Sequence, residues 1–353
     1  MEIVEGGIRR RLFPGAVVVV GNRDSVFFAH GFGRVSWERS AVAPAPGKTL
    51  WDLASLTKVV ATTSAIMTLV DEGRLDLDQP VQKYLPAFLG GDKADVTVRM
   101  LLDHTSGLPA FVPFYRHGVG RQSVIDQLFD VPLEAKPAAR TRYSDLNAIL
   151  LGLIVEALSG TTLDQFAARS VFSPLGMGRT TFAVADVSRA APSIAHHGQL
   201  APGEVNDRNA WAMGGVAGHA GLFATGLDLA RFAQTWLRSG AGPHGPWVGA
   251  ATIRRFLEHS AGGGARALGW EIPDARHPER SPFGRLATGT TYGHTGWTGT
   301  FLWFDPTRDI FLVLLTNRSL GSNSRATFRA MRELRARLSD AIGVAMAPRV
   351  RTP

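Results

Sequence analysis

Apolar residues first gather at positions 16–20, where Ala16 and four consecutive valines follow Pro14-Gly15. A β-branched run of this length between turn residues reads as a strand. Gly21-Asn22-Arg23-Asp24 turns the chain and 25–29 runs back, so an antiparallel hairpin is expected. Pro44, Pro46 and Gly47 then mark a loop. Beyond it Leu56, Val59, Val60, Ile66, Met67, Leu69 and Val70 follow a helical stripe, which predicts one long helix capped by Asp52 and ended by Gly73. From 75 to about 264 the pattern is mixed helix and loop, with helices expected at 98–102, 122–129, 146–158, 163–172 and 227–238. Strand character returns at 268–272 and in a second hairpin, 298–304 with 310–316. The last predicted helix, 324–342, aligns Phe328, Met331, Leu334, Leu338 and Ile342 on one side, suited to covering that sheet.

Strands and a helix at both ends thus enclose a helical middle. The expected class is α/β, an antiparallel sheet flanked by helices and built from both chain ends. Residues 1–74 and 265–353 would form the sheet domain, with 75–264 inserted as a mainly helical domain. A length of 353 residues suits this arrangement, and 45% hydrophobic with 19% charged residues excludes global disorder. There is no cysteine, which removes disulfides, thiolate metal sites and cysteine nucleophiles together.

The net charge is +8, from 38 basic and 30 acidic residues. The arginines are scattered, with no run longer than Arg9-Arg10-Arg11, so the charge reads as a solvated basic surface and no nucleic-acid partner is expected. No apolar run approaches the roughly 18–20 residues of a membrane helix, and the valines at 17–20 are too few for a secretory signal. The expectation is therefore a cytoplasmic protein without a membrane span.

The chain lacks HExxH and GxSxG, and Val42 stands where a phosphate loop ending in Gly47-Lys48-Thr49 needs its first glycine. His196-His197 are adjacent, so their side chains diverge, and no metal or cofactor is expected. Ser55-Leu56-Thr57-Lys58 is different. Residues at i and i+3 of a helix share a face, so the Lys58 amine reaches the Ser55 hydroxyl. A serine needs a neighbouring base to become a nucleophile, and a lysine of depressed pKa can serve. At a helix start, N–H groups also face a developing oxyanion. Alone the pair is a weak signal. Two further patterns accompany it: Tyr143-Ser144-Asp145 at a predicted helix entrance, and His294-Thr295-Gly296 opening the late hairpin.

Serine–lysine, tyrosine-x-acid and histidine-threonine-glycine, in this order, resemble the three signatures of penicillin-recognising serine hydrolases. These include class C β-lactamases, D-Ala-D-Ala carboxypeptidases and related esterases. The stretches 101–109 (LLDHTSGLP) and 218–225 (GHAGLFAT) extend the similarity, which covers nearly all of 8–338. The resemblance implies the β-lactamase/transpeptidase-like fold and roles for particular residues. Ser55 would form the acyl-enzyme. Lys58 would hydrogen-bond Ser55 and Tyr143 and lower their pKa values. Tyr143 would relay the proton, and His294 would orient Tyr143 or, if protonated, meet a substrate carboxylate. The N–H groups of Ser55 and Trp297 would form the oxyanion hole, beside Thr295 and Gly296.

Two positions depart from the lactamase pattern. Asp145 replaces an asparagine, which exchanges an amide donor for an acceptor able to anchor Lys58 as a cation. His294 replaces a lysine and removes an obligate charge. Both point away from efficient β-lactam turnover and toward carboxylic esters or D-amino-acid peptides, small-molecule substrates in either case. The alternatives are a β-lactamase and a non-catalytic penicillin-binding sensor. Asp207 and His219, with Asn206, Arg208 and Asn209, are candidate cleft residues. Tyr115, Phe114 and Trp211 are candidate walls, Asn317 and Arg318 lie near the late hairpin, and His104 and Ser106 read as structural.

Overall fold

The computed structural model describes residues 1–118, 120–261 and 264–346. Its main sheet has five antiparallel strands: β1 (Gly15–Gly21), β2 (Val26–Gly33), β3 (Tyr292–Thr295), β4 (Phe301–Asp305) and β5 (Ile310–Thr316). Their order is β2-β1-β5-β4-β3, so the first and last parts of the chain meet where Val17 faces Leu315 and Val19 faces Val313. Side chains alternate across a strand, and here both faces are covered. Val17, Val19, Leu302, Phe304, Val313 and Leu315 enter the larger core with the helical middle. Val18, Val20, Phe301, Trp303, Leu312 and Leu314 enter a smaller core under the terminal helices.

Five of the helices bear on the site: α1 (Glu2–Arg9), α2 (Ser64–Asp71), α3 (Asp145–Ser159), α4 (Gly226–Leu237) and α5 (Arg325–Ala345). α5 lays Met331, Leu334, Leu338 and Ile342 on the sheet as its pattern predicts. α1 is not apparent from the sequence, because Gly6-Gly7 interrupts its period. Gly7 is what lets it dock, since a Cβ there would meet Leu334 and Phe13 at 2.7 Å. α4 crosses the other face, where a Cβ on Gly226 would meet Val17 at 2.7 Å. α3 is buried from Leu146 to Val155. No single helix among the described residues is long and apolar enough to cross a membrane.

Two expected elements differ. The long helix over 52–73 is three segments: a 3-10 turn at Ala54–Leu56, a π-helical stretch at Lys58–Thr63, then α2. Ala54 has φ +47°, a left-handed conformation that prevents a regular helix start, and Asp52 accepts the Ala54 N–H at 2.8 Å. In the wide stretch the Ser64 hydroxyl donates to the Val59 carbonyl at 2.9 Å. The strand expected at 268–272 is absent. Gly269 at φ +83° turns the backbone so that the Ala267 N–H reaches the Trp270 carbonyl, and only Glu271 bridges to Gly293 beside β3.

Candidate active site

The Ser55 turn is clamped from three directions. The Leu53 N–H donates to Leu222 O at 2.9 Å, and the Thr298 and Thr300 hydroxyls donate to the carbonyls of Asp52 and Leu53 at 2.8 and 3.0 Å. The turn is thereby fixed against both the 218–225 stretch and the β3–β4 connection. One turn on, Lys58 Nζ lies 3.0 Å from Ser55 Oγ, 3.1 Å from His219 O and 2.7 Å from Asp145 Oδ1. Asp145 is the first residue of α3, and Tyr143 precedes it by two, so one helix start delivers both side chains.

The electrostatics correct one expectation. Burial alone would pull the Lys58 pKa down, but the Asp145 carboxylate and Tyr143 outweigh it and raise it above the ordinary lysine value. Lys58 is a cation with no free lone pair, anchored by Asp145 as the sequence allows, and not a depressed amine able to act as base. Tyr143 lies close enough to Lys58 and Ser55 for both to act on its phenol. Its ring carries Lys58 Nζ at 5.0 Å and the Arg266 guanidinium at 5.1 Å. Burial nonetheless pushes its pKa up, with Lys58 opposing, so the resting group is a neutral phenol rather than one lowered by Lys58.

His294 lies under Tyr143, ring centroids 5.8 Å apart, with Nδ1 2.9 Å from Thr295 O. With that nitrogen donating, Nε2 is a buried acceptor without a partner. Burial, then Arg266 and Lys58, drive its pKa well below the usual histidine value. His294 therefore stays neutral and does not supply the charge that a carboxylate would meet. The His104 ring also lies against Tyr143, centroids 4.8 Å apart, and His104 accepts the Ser144 N–H.

These groups border a cleft of about 840 Å³. Its wall includes Ser55, Tyr143, Asp145, Asp207, His219, Thr295, Gly296 and Trp297, bringing segments more than 200 residues apart to one place. Lys58 and His294 stand behind that wall. His219 Nε2 pairs with Asp207 Oδ1 at 2.8 Å. Burial would raise the Asp207 carboxyl, but His219, the Ala210 N–H and Lys58 hold it at about 2. Arg318 grips the Trp297 carbonyl with Nε at 2.9 Å and Nη2 at 2.6 Å, fixing the peptide next to the Gly296 turn.

Of the other candidates, Asn206, Arg208, Tyr115 and Arg318 line the cleft, whereas Asn209, Phe114, Trp211 and Asn317 do not. Asn209 ties loops through Tyr115 N and Val112 O, and Ser106 bonds Asn147 at 2.6 Å. His196 pairs with Glu204 at 2.6 Å. Sequence reasoning misses Arg266, Glu271 and Arg335. Arg266 and Glu271 lie in an irregular segment without a motif. Arg335 belongs to a helical arginine stripe that reads, in sequence, as solvated surface.

The sequence profile of the Beta-lactamase family matches residues 2–336. A protein of Salmonella enteritidis PT4 named "Putative D-alanyl-D-alanine carboxypeptidase" is 33% identical over 301 residues, covering 76% of this chain and 69% of that protein. Among solved structures, a class C beta lactamase from Rhodobacter sphaeroides superposes with a TM-score of 0.76 at 21% identity, covering 97% of this chain and 98% of that one. EstCE1, described as a hydrolase with promiscuous acyltransferase activity, gives 0.73 at 23% identity, covering 95% and 96%. The octameric penicillin-binding protein homologue from Pyrococcus abyssi gives 0.73 at 24%, covering 96% and 76%. The structural likenesses establish the β-lactamase/transpeptidase-like fold, and with the profile match and the 33% identical relative the chain belongs to the beta-lactamase family of serine hydrolases.

Proposed function

We propose that the protein hydrolyses carboxylic esters or D-amino-acid peptides through a Ser55 acyl-enzyme, and turns over β-lactams poorly. The observation that carries this reading is the Ser55–Lys58 contact of 3.0 Å, with the Tyr143 ring 5.0 Å from the Lys58 ammonium, at the wall of a cleft of substrate size. Because Lys58 is charged and Tyr143 neutral, the protons move through the phenol. Ser55 Oγ attacks the acyl carbon and its proton passes to the Tyr143 oxygen, while the phenol proton passes to the departing alkoxide or amine. In the second half water attacks the ester carbon, gives a proton to Tyr143, and Tyr143 returns one to Ser55 Oγ. Lys58 remains an ammonium throughout and stabilises negative charge on either oxygen. The Ser55 and Trp297 N–H groups receive the oxyanion.

Poor lactam turnover is supported by Asp145, whose carboxylate is engaged by Lys58 and offers no donor, and by the neutral His294. Arg266 also lines the cleft, paired there to Glu271 at 3.2 Å, so the two together add no net charge beside Ser55. The test is turnover of a p-nitrophenyl short-chain ester and labelling by a fluorophosphonate and a fluorescent penicillin. Wild type should turn over the ester and take the fluorophosphonate label, and Ser55→Ala should do neither. Labelling that survives Ser55→Ala overturns the nucleophile. A stable penicillin adduct without any turnover overturns the hydrolase in favour of a sensor.

A further inference from the structure

A second cavity, of about 410 Å³, shares Glu271, Thr295, Phe328 and Arg335 with the cleft and so adjoins it. The rest of its wall is Pro282 with Arg325, Arg329 and Arg332. These arginines recur at helical spacing along one face of α5, and Arg335 continues the stripe. Like charges at this spacing destabilise a helix, so helix formation does not account for them.

Their counter-charges are few. Glu271 is the single carboxylate on the cavity wall, and it is paired to Arg266 at 3.2 Å. Arg329 reaches Glu333 at 3.9 Å on the exposed surface. Among the described residues, Arg325 and Arg332 form no ion pair. Arg335 is buried and donates to the carbonyls of Gly296 and Thr300 at 3.1 and 3.0 Å, which leaves its Nε without an acceptor. Three of these four guanidiniums, those of Arg325, Arg332 and Arg335, have no ion-pair partner among the described residues, and the carboxylate on the wall is already occupied, so positive charge is in excess beside the acyl-transfer site.

We propose that this arginine-lined cavity is an anion subsite of the cleft, which takes a multiply charged oxyanion carried by the substrate beyond its scissile bond. Guanidinium forks match the oxygens of phosphate and carboxylate groups. From Arg325 to Arg332 the helix advances about 10 Å, more than one carboxylate or one phosphate spans, so the group is a pyrophosphate or a pair of carboxylates. That the anion is part of a substrate rests on the hydrolase reading; anion binding does not.

Calorimetry on the Ser55→Ala protein measures the site without turnover, using sodium pyrophosphate and tricarballylate, with acetate at matched ionic strength as the reference. At least one of the two polyanions should bind about tenfold or more tighter than acetate, and the Arg325→Gln/Arg332→Gln double variant should lose that margin. Preference for pyrophosphate or for tricarballylate assigns the group as pyrophosphate or as paired carboxylates. In wild type the bound anion should raise KM for a neutral ester without changing kcat. The double variant should keep kcat/KM for that ester within about twofold and escape the inhibition. Binding no tighter than acetate, or equal in the double variant, overturns the subsite. Binding without any ester or peptide turnover would leave the subsite standing and remove the hydrolase reading.

Discussion

At the scale of single residues, Asp145 governs the charge at the centre. It lies 2.7 Å from Lys58 Nζ, and it is the main reason the lysine stays protonated despite burial. Asp145→Asn would keep the shape, remove the counter-charge and supply an amide donor to the cleft. Lys58 would then lose its largest stabilising partner, and burial would carry its pKa downward. A β-lactam side-chain carbonyl would gain a donor in place of an acceptor, a mismatch worth about 1–3 kcal/mol. We therefore expect kcat/KM for nitrocefin to rise about tenfold relative to a p-nitrophenyl ester in Asp145→Asn, at ~1.4 kcal/mol per tenfold. An unchanged ratio would show that Asp145 does not set the preference. His294→Lys is the less informative change, because it would bury an ammonium among Arg266 and Lys58. The contact between Ser55 and Lys58 was legible in the sequence, since three residues of helix fix it. The protonation states were legible only in part. That of Lys58 turns on Asp145, which the sequence does mark, but those of Tyr143 and His294 follow from burial, which no local pattern reports, and for His294 also from Arg266, which no motif marks.

Among elements, the segment entering the Ser55 turn is the junction. One Asp52 carboxylate oxygen accepts the Ala54 N–H, and the other accepts the Asn206 N–H at 2.7 Å and the Ser193 hydroxyl at 3.0 Å. Asp52 was legible as a cap, but its partners at 193 and 206 arrive by tertiary folding. They are why Ala54 can hold φ +47° beside the nucleophile. Burial raises the Asp52 pKa from 3.8 to about 6, with these hydrogen bonds opposing. A carboxyl raised in the folded state binds its proton more tightly than in the unfolded chain. Its stabilising contribution is thus present below pH 4 and lost as pH climbs through 6, on the order of 3 kcal/mol. Asp207, held at about 2, acts in the opposite sense and only below about pH 4. Urea unfolding at pH 4.5 and 7.5 should show wild type losing more stability across the interval than Asp52→Asn does. Asn at this position is less stable in absolute terms, since its amide nitrogen cannot accept both bonds, so the pH difference is the quantity to compare. Equal differences in the two proteins would mean that Asp52 titrates normally. The same junction explains why the long helix expected over 52–73 is broken, whereas α5, with no such tertiary anchor, keeps the extent its pattern suggests.

Across the whole molecule, one hydrophobic core spans the boundaries read in the sequence at 75 and 264. The larger core runs from Val17, Val313 and Leu315 on the sheet through Val59, Ile66 and Leu69 to Leu150, Ile154 and Phe166 in the helical middle. Hydrogen bonds cross the same boundary at the site itself, from Lys58 to His219 O and from Thr62 to Gly218 O at 2.7 Å. The central strands β1 and β5 bury both faces, so detaching the helical middle would turn Val17, Val19 and Leu315 to water. Exposing a fully buried aliphatic side chain costs about 1.5–3 kcal/mol, and several would be exposed at once. We therefore propose that residues 1–74, 75–264 and 265–346 unfold as one cooperative unit, with the catalytic constellation lost in the same step. Far-ultraviolet circular dichroism, tryptophan fluorescence and residual esterase activity should then share one midpoint in a urea titration. Activity disappearing at lower urea than the dichroism, with a plateau between, would show instead that the helical middle opens on its own. In that case the cleft would lie at a moving boundary, and the hydrogen bonds from Lys58 to His219 and from Thr62 to Gly218 would part first.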